Sequence, residues 1–172
     1  MNEGMSKIVK TIAGIAFPFV TIYGLYVIAH GHLTPGGGFQ GGAIVASGAA
    51  MILVAFGSAW TMKKVKEKHL SGLESTGAIV FIGTAILGLL AAGVFFNNFL
   101  FDSNLFFNVV PDKGSTVGIL NSAGTLPIMN FAVGLKVIAG LFAIVLVMAY
   151  ATTKMGGDKK SSIISHILQL SD

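Results

Sequence analysis

Four apolar stretches, each long enough to cross a lipid bilayer, limit what this chain can fold into. They run from about Ile8 to Ala29, from Gly41 to Met62, from Leu73 to Phe101 and from Ile128 to Thr152. A helix needs about 20 such residues to cross a hydrocarbon core of ~30 Å. Lipid offers a backbone no hydrogen-bond partner, so each stretch must satisfy its own N–H and C=O groups as a helix. Charged residues make up only 10% of the 172 residues and apolar residues 53%, whereas a soluble domain carries about 25% charged residues. So few charges cannot cover a water-facing surface. The expected fold is all-α: an integral membrane protein of four transmembrane helices, forming a single membrane domain over residues 1–172 with a short tail from Asp158.

The third stretch is longer than a bilayer requires. It is expected to leave the membrane near Asn97 and Asn98, with its last aromatics in the interface. The first stretch follows Lys7 and Lys10, as the core of a signal peptide would. Its apolar part exceeds the usual ~7–15 residues and no cleavage pattern follows, so it reads as a permanent helix. Pro18 within it frees the carbonyl of Gly14 and predicts a bend.

All eleven basic residues are Lys. Lys7 and Lys10 precede the first span. Lys63, Lys64, Lys66 and Lys68 lie between the second and third, and Lys154, Lys159 and Lys160 follow the fourth. Four crossings put these nine on one side, and positive residues stay in the cytoplasm. Both termini and the middle loop are therefore expected inside. The loops His30–Gln40 and Asp102–Pro127 are expected outside, with Lys113 in the latter. Nucleic-acid binding leans on Arg and an exposed basic face, and this chain offers neither. It has no Cys, which excludes disulfides, thiolate metal sites and thiol catalysis.

Small residues gather on helix faces. Gly42, Ala46, Ala49 and Ala50 share one face of the second span, and Gly77, Thr84, Gly88 and Ala91 one face of the third. In lipid such faces let backbones approach and gain dispersion contacts. They serve packing within this chain or contact with other subunits. In the tail, Ile163, Ile164, Ile167 and Leu168 form an apolar stripe, read as a fraying end, an interfacial helix or a docking contact.

The segment from His30 to Gly42 is the least ordinary. Gly36, Gly38 and Gly41 spell a G-x-G-x-x-G, but a nucleotide fingerprint needs a preceding strand and a βαβ unit. Here membrane helices flank it. Pro35, Gly36, Gly37, Gly38, Phe39, Gly41 and Gly42 instead predict a tight backbone path at a helix entrance. His30 and His32 could hold a metal only with further ligands, and none is near in sequence. They read as interface histidines or as proton-handling groups. Lys136 lies about six to eight residues into the fourth span. A charge there is costly and faces a bundle interior or a watery cavity, unless its long stem snorkels outward. Glu74 opens the third span, and Ser71 to Glu74 spell a capping box. Glu74 near the inner face and Lys136 in the outer half are expected to lie ~20 Å apart along the helix axes, too far to pair. A partner for Lys136 would then come from another subunit or from Asp102. No paired-carboxylate cleft, activated nucleophile or metal cluster is visible, so the chain is expected not to be an enzyme by itself and to need no cofactor.

The run His30-Gly31-His32-Leu33-Thr34-Pro35-Gly36-Gly37-Gly38-Phe39-Gln40-Gly41-Gly42, followed by a small-residue helix, resembles the MnhB/MrpB family. These are B subunits of multisubunit sodium/proton antiporters. Glu74-Ser75-Thr76-Gly77 and Gly134-Leu135-Lys136-Val137 resemble the same family. The resemblance implies a membrane subunit that packs beside the C-terminal part of the A subunit and the C subunit, in the plasma membrane of a prokaryote. It also implies an assembly that moves sodium ions and protons. Homologous subunits occur in membrane-bound hydrogenases and sulfur-reducing complexes. The long outer loop and the tail depart from the shortest members. Two other readings compete with a role in the ion path: a purely structural scaffold, and an independent small channel, for which the helices offer only isolated polar groups such as Lys136, Ser47 and Thr84.

Overall fold

The computed structural model of the chain describes residues 4–33, 35–100 and 123–169. The first helix, α1, spans Lys7–Ala29 and continues through Pro18. Thr21 Oγ1 donates to the carbonyl of Phe17 at 2.9 Å, satisfying its hydroxyl within the helix. The helix closes at His30, whose N–H bonds the carbonyl of Tyr26 at 3.0 Å.

Gly36 then adopts φ 89°, a left-handed conformation that a Cβ would strain, and the next helix starts at once. This helix, α2, spans Gly37–Phe56. It begins before the expected Gly41, so Gly37, Gly38, Phe39 and Gln40 are helical rather than loop. It also ends before the expected Met62. Gly57 takes φ 90° and ψ 155°, and the chain turns into a separate short helix, α3, Ser58–Lys64. The second apolar stretch is continuous in composition, but its one positive-φ residue redirects it.

The third span, α4, covers Glu67–Ala92. It starts well before Leu73 and ends well before Phe101 and the expected exit at Asn97 and Asn98. Gly93 caps it in the left-handed region, φ 71°. The chain then folds back on its own helix. Phe96 N–H reaches the carbonyl of Ala85 at 3.4 Å, and the Phe81 and Phe96 rings lie 5.6 Å apart. The last helix, α5, spans Leu126–Gln169 without interruption. The tail expected to fray or to form a separate interfacial helix is thus a continuation of the fourth span. Asp102, Lys113 and most of the expected outer loop lie outside the described residues.

Among the described residues four helices are long and apolar enough to cross a membrane: Lys7–Ala29, Gly37–Phe56, Glu67–Ala91 and Leu126–Lys154. They stand in the order α1, α2, α5, α4, with α2 and α5 in the middle, and α4 packs mainly against α5. A row of this kind leaves apolar side chains on its flanks, among them Phe19, Val54, Ile79, Leu90 and Met148. One buried cluster, Leu53, Leu70, Phe142 and Leu146, ties α2, α4 and α5 together near one end. Met5 N–H bonds the carbonyl of Ala55 at 3.0 Å, and the Ser58 and Thr153 hydroxyls meet at 3.2 Å. These contacts bring Lys10, Lys63, Lys64 and Lys154 to that same end of the row.

Candidate functional site

The crossing of α4 and α5 is built on glycine. A Cβ at Gly77 would sit 2.6 Å from the carbonyl oxygen of Ala132 and 3.0 Å from the backbone nitrogen of Lys136. The two backbones touch, so Gly77 and Lys136 lie at the same level. One turn away, a Cβ at Gly140 would meet the Glu74 carboxyl carbon and Oε1, each at 3.6 Å. Glu74 therefore points at α5, and the helices run antiparallel. Three residues separate Glu74 from the level of Lys136, about 4.5 Å along the axis.

This overturns two expectations. Ser71 is interior to α4, whose N-cap is Lys66 with no side-chain cap, so Ser71 and Glu74 form no capping box. The ~20 Å separation fails for the same reason: α4 starts at Glu67, which carries Glu74 some 10 Å into the helix. Lys136 likewise lies deeper than expected, about 15 Å from the start of α5. The two opposite charges share one segment of one interface. Neither makes a hydrogen bond or ion pair among the described residues. Glu74 is half-buried, whereas Lys136 is exposed on the flank of the row. It borders a groove of about 350 Å³ lined by Gly77, Ala78, Phe81, Ile82, Ala132 and Val133. Lys136 thus branches from mid-span onto a surface that the described residues leave open.

The glycine-rich segment has a different use. Gly37 packs on Gly31. A Cβ at Gly38 would lie 2.6 Å from the carbonyl oxygen of Asn130, and one at Gly41 2.5 Å from that of Gly24. Gly42 faces the Val137 Cβ at 2.8 Å and the Gly134 oxygen at 2.9 Å by the same measure. Each glycine permits backbone contact, so the first turns of α2 are wedged between α1 and α5. Pro35 lies in the turn before Gly36, and Phe39 is 60% exposed. The His30 ring packs on Tyr26 with centroids 4.2 Å apart, and Nδ1 of both His30 and His32 is shielded from solvent. Among the described residues no three His, Cys, Asp or Glu gather as metal ligands. Glu74 and Lys136 are brought together; His30 and His32 stay at the glycine turn.

Two asparagines make contacts that local sequence does not indicate. Asn130 lies against Gly31 and Gly38 at the start of α5. Asn98 accepts from the N–H of Thr125 at 2.7 Å and from its hydroxyl at 3.0 Å, and donates to the carbonyl of Ala123 at 3.1 Å. It fixes the entry to α5. The available signal was the cost of an amide at the edge of an apolar stretch without a bonded partner.

Residues 8–143 match the family model described as a domain related to the MnhB subunit of a Na+/H+ antiporter. The chain belongs to the MnhB family. The glycine turn and the Glu74–Lys136 crossing both fall within the matched residues. This MnhB-family chain is 34% identical over 145 residues to an uncharacterized protein of Methanocaldococcus jannaschii, covering 81% of this chain and 52% of that protein. It also resembles a chain in the structure of the membrane-bound sulfane sulfur reductase, an archaeal respiratory membrane complex. That likeness has a TM-score of 0.65 and 32% identity over 86% of this chain and 62% of the other. The chain thus spans about half of the first and under two thirds of the second.

Proposed function

We propose that this chain is a non-catalytic membrane subunit of a multisubunit, antiporter-like assembly, in which Glu74 and Lys136 form a polar station beside the route of sodium ions or protons. The observation that carries this reading is the pair of opposite charges across the α4–α5 crossing, with the Lys136 ammonium exposed at mid-span. A charge inside a membrane faces a bundle interior or a watery cavity, and is satisfied by a partner group or by water. Among the described residues nothing covers Lys136, and we assign that cover to a neighbouring subunit. A neighbouring subunit closing the groove at Gly77, Ala78 and Phe81 would bury Lys136 beside Glu74 and give an ion a polar foothold. The family description, which names a Na+/H+ antiporter, and the likeness to a respiratory complex support this setting. The neighbours would be the C-terminal part of an A-type subunit and a C-type subunit in a prokaryotic plasma membrane. Both termini would be cytoplasmic, in keeping with the lysines gathered at one end.

The test is a double variant, Glu74→Gln with Lys136→Met, in the parent complex. A charge at mid-membrane costs about 2.5–3.5 kcal/mol. Even two opposite charges brought to ~5 Å at an effective dielectric of about 20 would return only about 3 kcal/mol. The pair is not self-financing as a stability element, so neutralising both should leave the chain as abundant in membranes as before. Ion translocation in inverted vesicles or proteoliposomes should fall at least tenfold. Normal transport with normal assembly would reject the path role and leave a scaffold. The scaffold reading has its own support in the glycine-built crossings that hold the row together. The proteins that co-purify distinguish the parent assembly: redox subunits mean a respiratory complex, their absence an antiporter.

A further inference from the structure

A second cavity lies away from the charged crossing. It is a crevice of about 420 Å³ lined by Gly14 and Phe17 of α1, Ala49, Ile52 and Phe56 of α2, Trp60, Thr61 and Lys64 of α3, Val65 just after it and Phe142 of α5. Its lining is apolar almost throughout. The exception is its rim. Lys64 borders it directly, and Lys10 Nζ stands 5.8 Å from the centroid of the Phe56 ring that forms part of its wall. Trp60 stacks on Phe56 with centroids 4.6 Å apart, and Lys63 adjoins Lys64 on α3. The break at Gly57 creates this shape: it swings α3 out of line with α2, so that Trp60 and Lys64 close one end of the crevice.

An apolar slot with ammonium groups at one end matches a ligand with a hydrocarbon tail and an anionic head. We propose that this crevice binds one anionic phospholipid, its chain against Gly14, Phe17, Ile52 and Phe142 and its phosphate between Lys10 and Lys64. The volume falls within the ~300–1,000 Å³ of small-molecule sites. Tryptophan at the mouth suits the boundary between acyl chains and headgroups. Charge complementarity selects lipid over a neighbouring apolar helix, which would leave the Lys10 and Lys64 ammoniums beside hydrocarbon without a counter-charge. This site is independent of the Glu74–Lys136 station and of the ion path.

Gly14 offers a clean test, because a Cβ there meets nothing within 4 Å. Gly14→Leu starts a side chain from the crevice wall at a point where its Cβ displaces no neighbour. The parent complex is purified in mild detergent, and retained lipid is extracted and quantified by mass spectrometry. The wild type should retain an anionic phospholipid at about one per copy of this chain. Gly14→Leu should assemble normally and lose it at least tenfold, since several methylene contacts are displaced. Lys10→Glu and Lys64→Glu should each lower retention of the anionic lipid about fivefold relative to zwitterionic lipid. Undiminished retention in Gly14→Leu would overturn the site. So would failure of that variant to assemble, which would mean that a neighbouring subunit fills the crevice.

Discussion

Replacing Gly77 with Ala adds one methyl group at the tightest point of the α4–α5 crossing. That methyl would lie 2.6 Å from the carbonyl oxygen of Ala132, against the 3.4 Å at which ordinary contact begins. The obstructing atoms are backbone, so no rotamer change relieves them. The helices must part by about 0.8 Å at this level. A radial gap of ~0.5–1 Å forfeits a quarter to a half of the dispersion well of each contact it opens. In lipid no hydrophobic force compensates, because the solvent is as apolar as the interface. The expected cost is the ~1–3 kcal/mol of overpacking, or between five- and about 150-fold in the population of the docked helix. Gly83→Ala is the control. It lies on the same helix, and a Cβ there meets nothing within 4 Å. The assay is the fraction of parent complex surviving a temperature series in detergent, read by size-exclusion chromatography. Gly77→Ala should lose integrity at lower temperature than the wild type and Gly83→Ala should not. Equal stability of all three would refute the claim that Gly77 sets this crossing.

Asn98→Ala should destabilise the entry to α5 by about 1–3 kcal/mol, because it removes the acceptor for Thr125 and the donor to Ala123. Asn98→Asp should fall between, since it keeps the acceptor and loses the donor; thermal survival of the complex checks both. Gly36→Ala should cost about 1–2 kcal/mol from its left-handed φ of 89°, seen as lower thermal survival with unchanged transport per surviving complex.

The number and approximate place of the spans were legible because lipid imposes a condition that each segment meets alone: enough apolar residues and no unpaired backbone. The ends were not, because single glycines set them. Gly57 cuts a uniformly apolar stretch and Gly93 stops another, and neither differs in composition from the glycines that remain helical. Glu74 shows the limit most clearly. Ser71 and Glu74 have the spacing of a capping box, yet α4 begins at Glu67 and absorbs both. Once that local reading is removed, the register against α5 decides what Glu74 faces. That register is set by Gly77 on Ala132 and Lys136, a contact between residues far apart in the chain. The glycine turn was recognisable as special, but its purpose was not. Its glycines admit Gly24, Gly31 and Asn130, partners that the loop itself does not name.

A closed four-helix bundle would hide small faces and charges inside itself. This chain instead lines its spans up, with α4 attached mainly through α5, and leaves Lys136 on the flank at their shared groove. Glu74, the one acidic residue at that crossing among the described residues, is held against Gly140 rather than bonded to the ammonium. An arrangement selected only for stability would place apolar residues at both positions, since a buried pair seldom outperforms its hydrophobic replacement. An ammonium with no partner among the described residues and an open groove are what the proposed neighbour would complete, and the glycine at the base of the groove keeps Glu74 and Lys136 within one turn of each other.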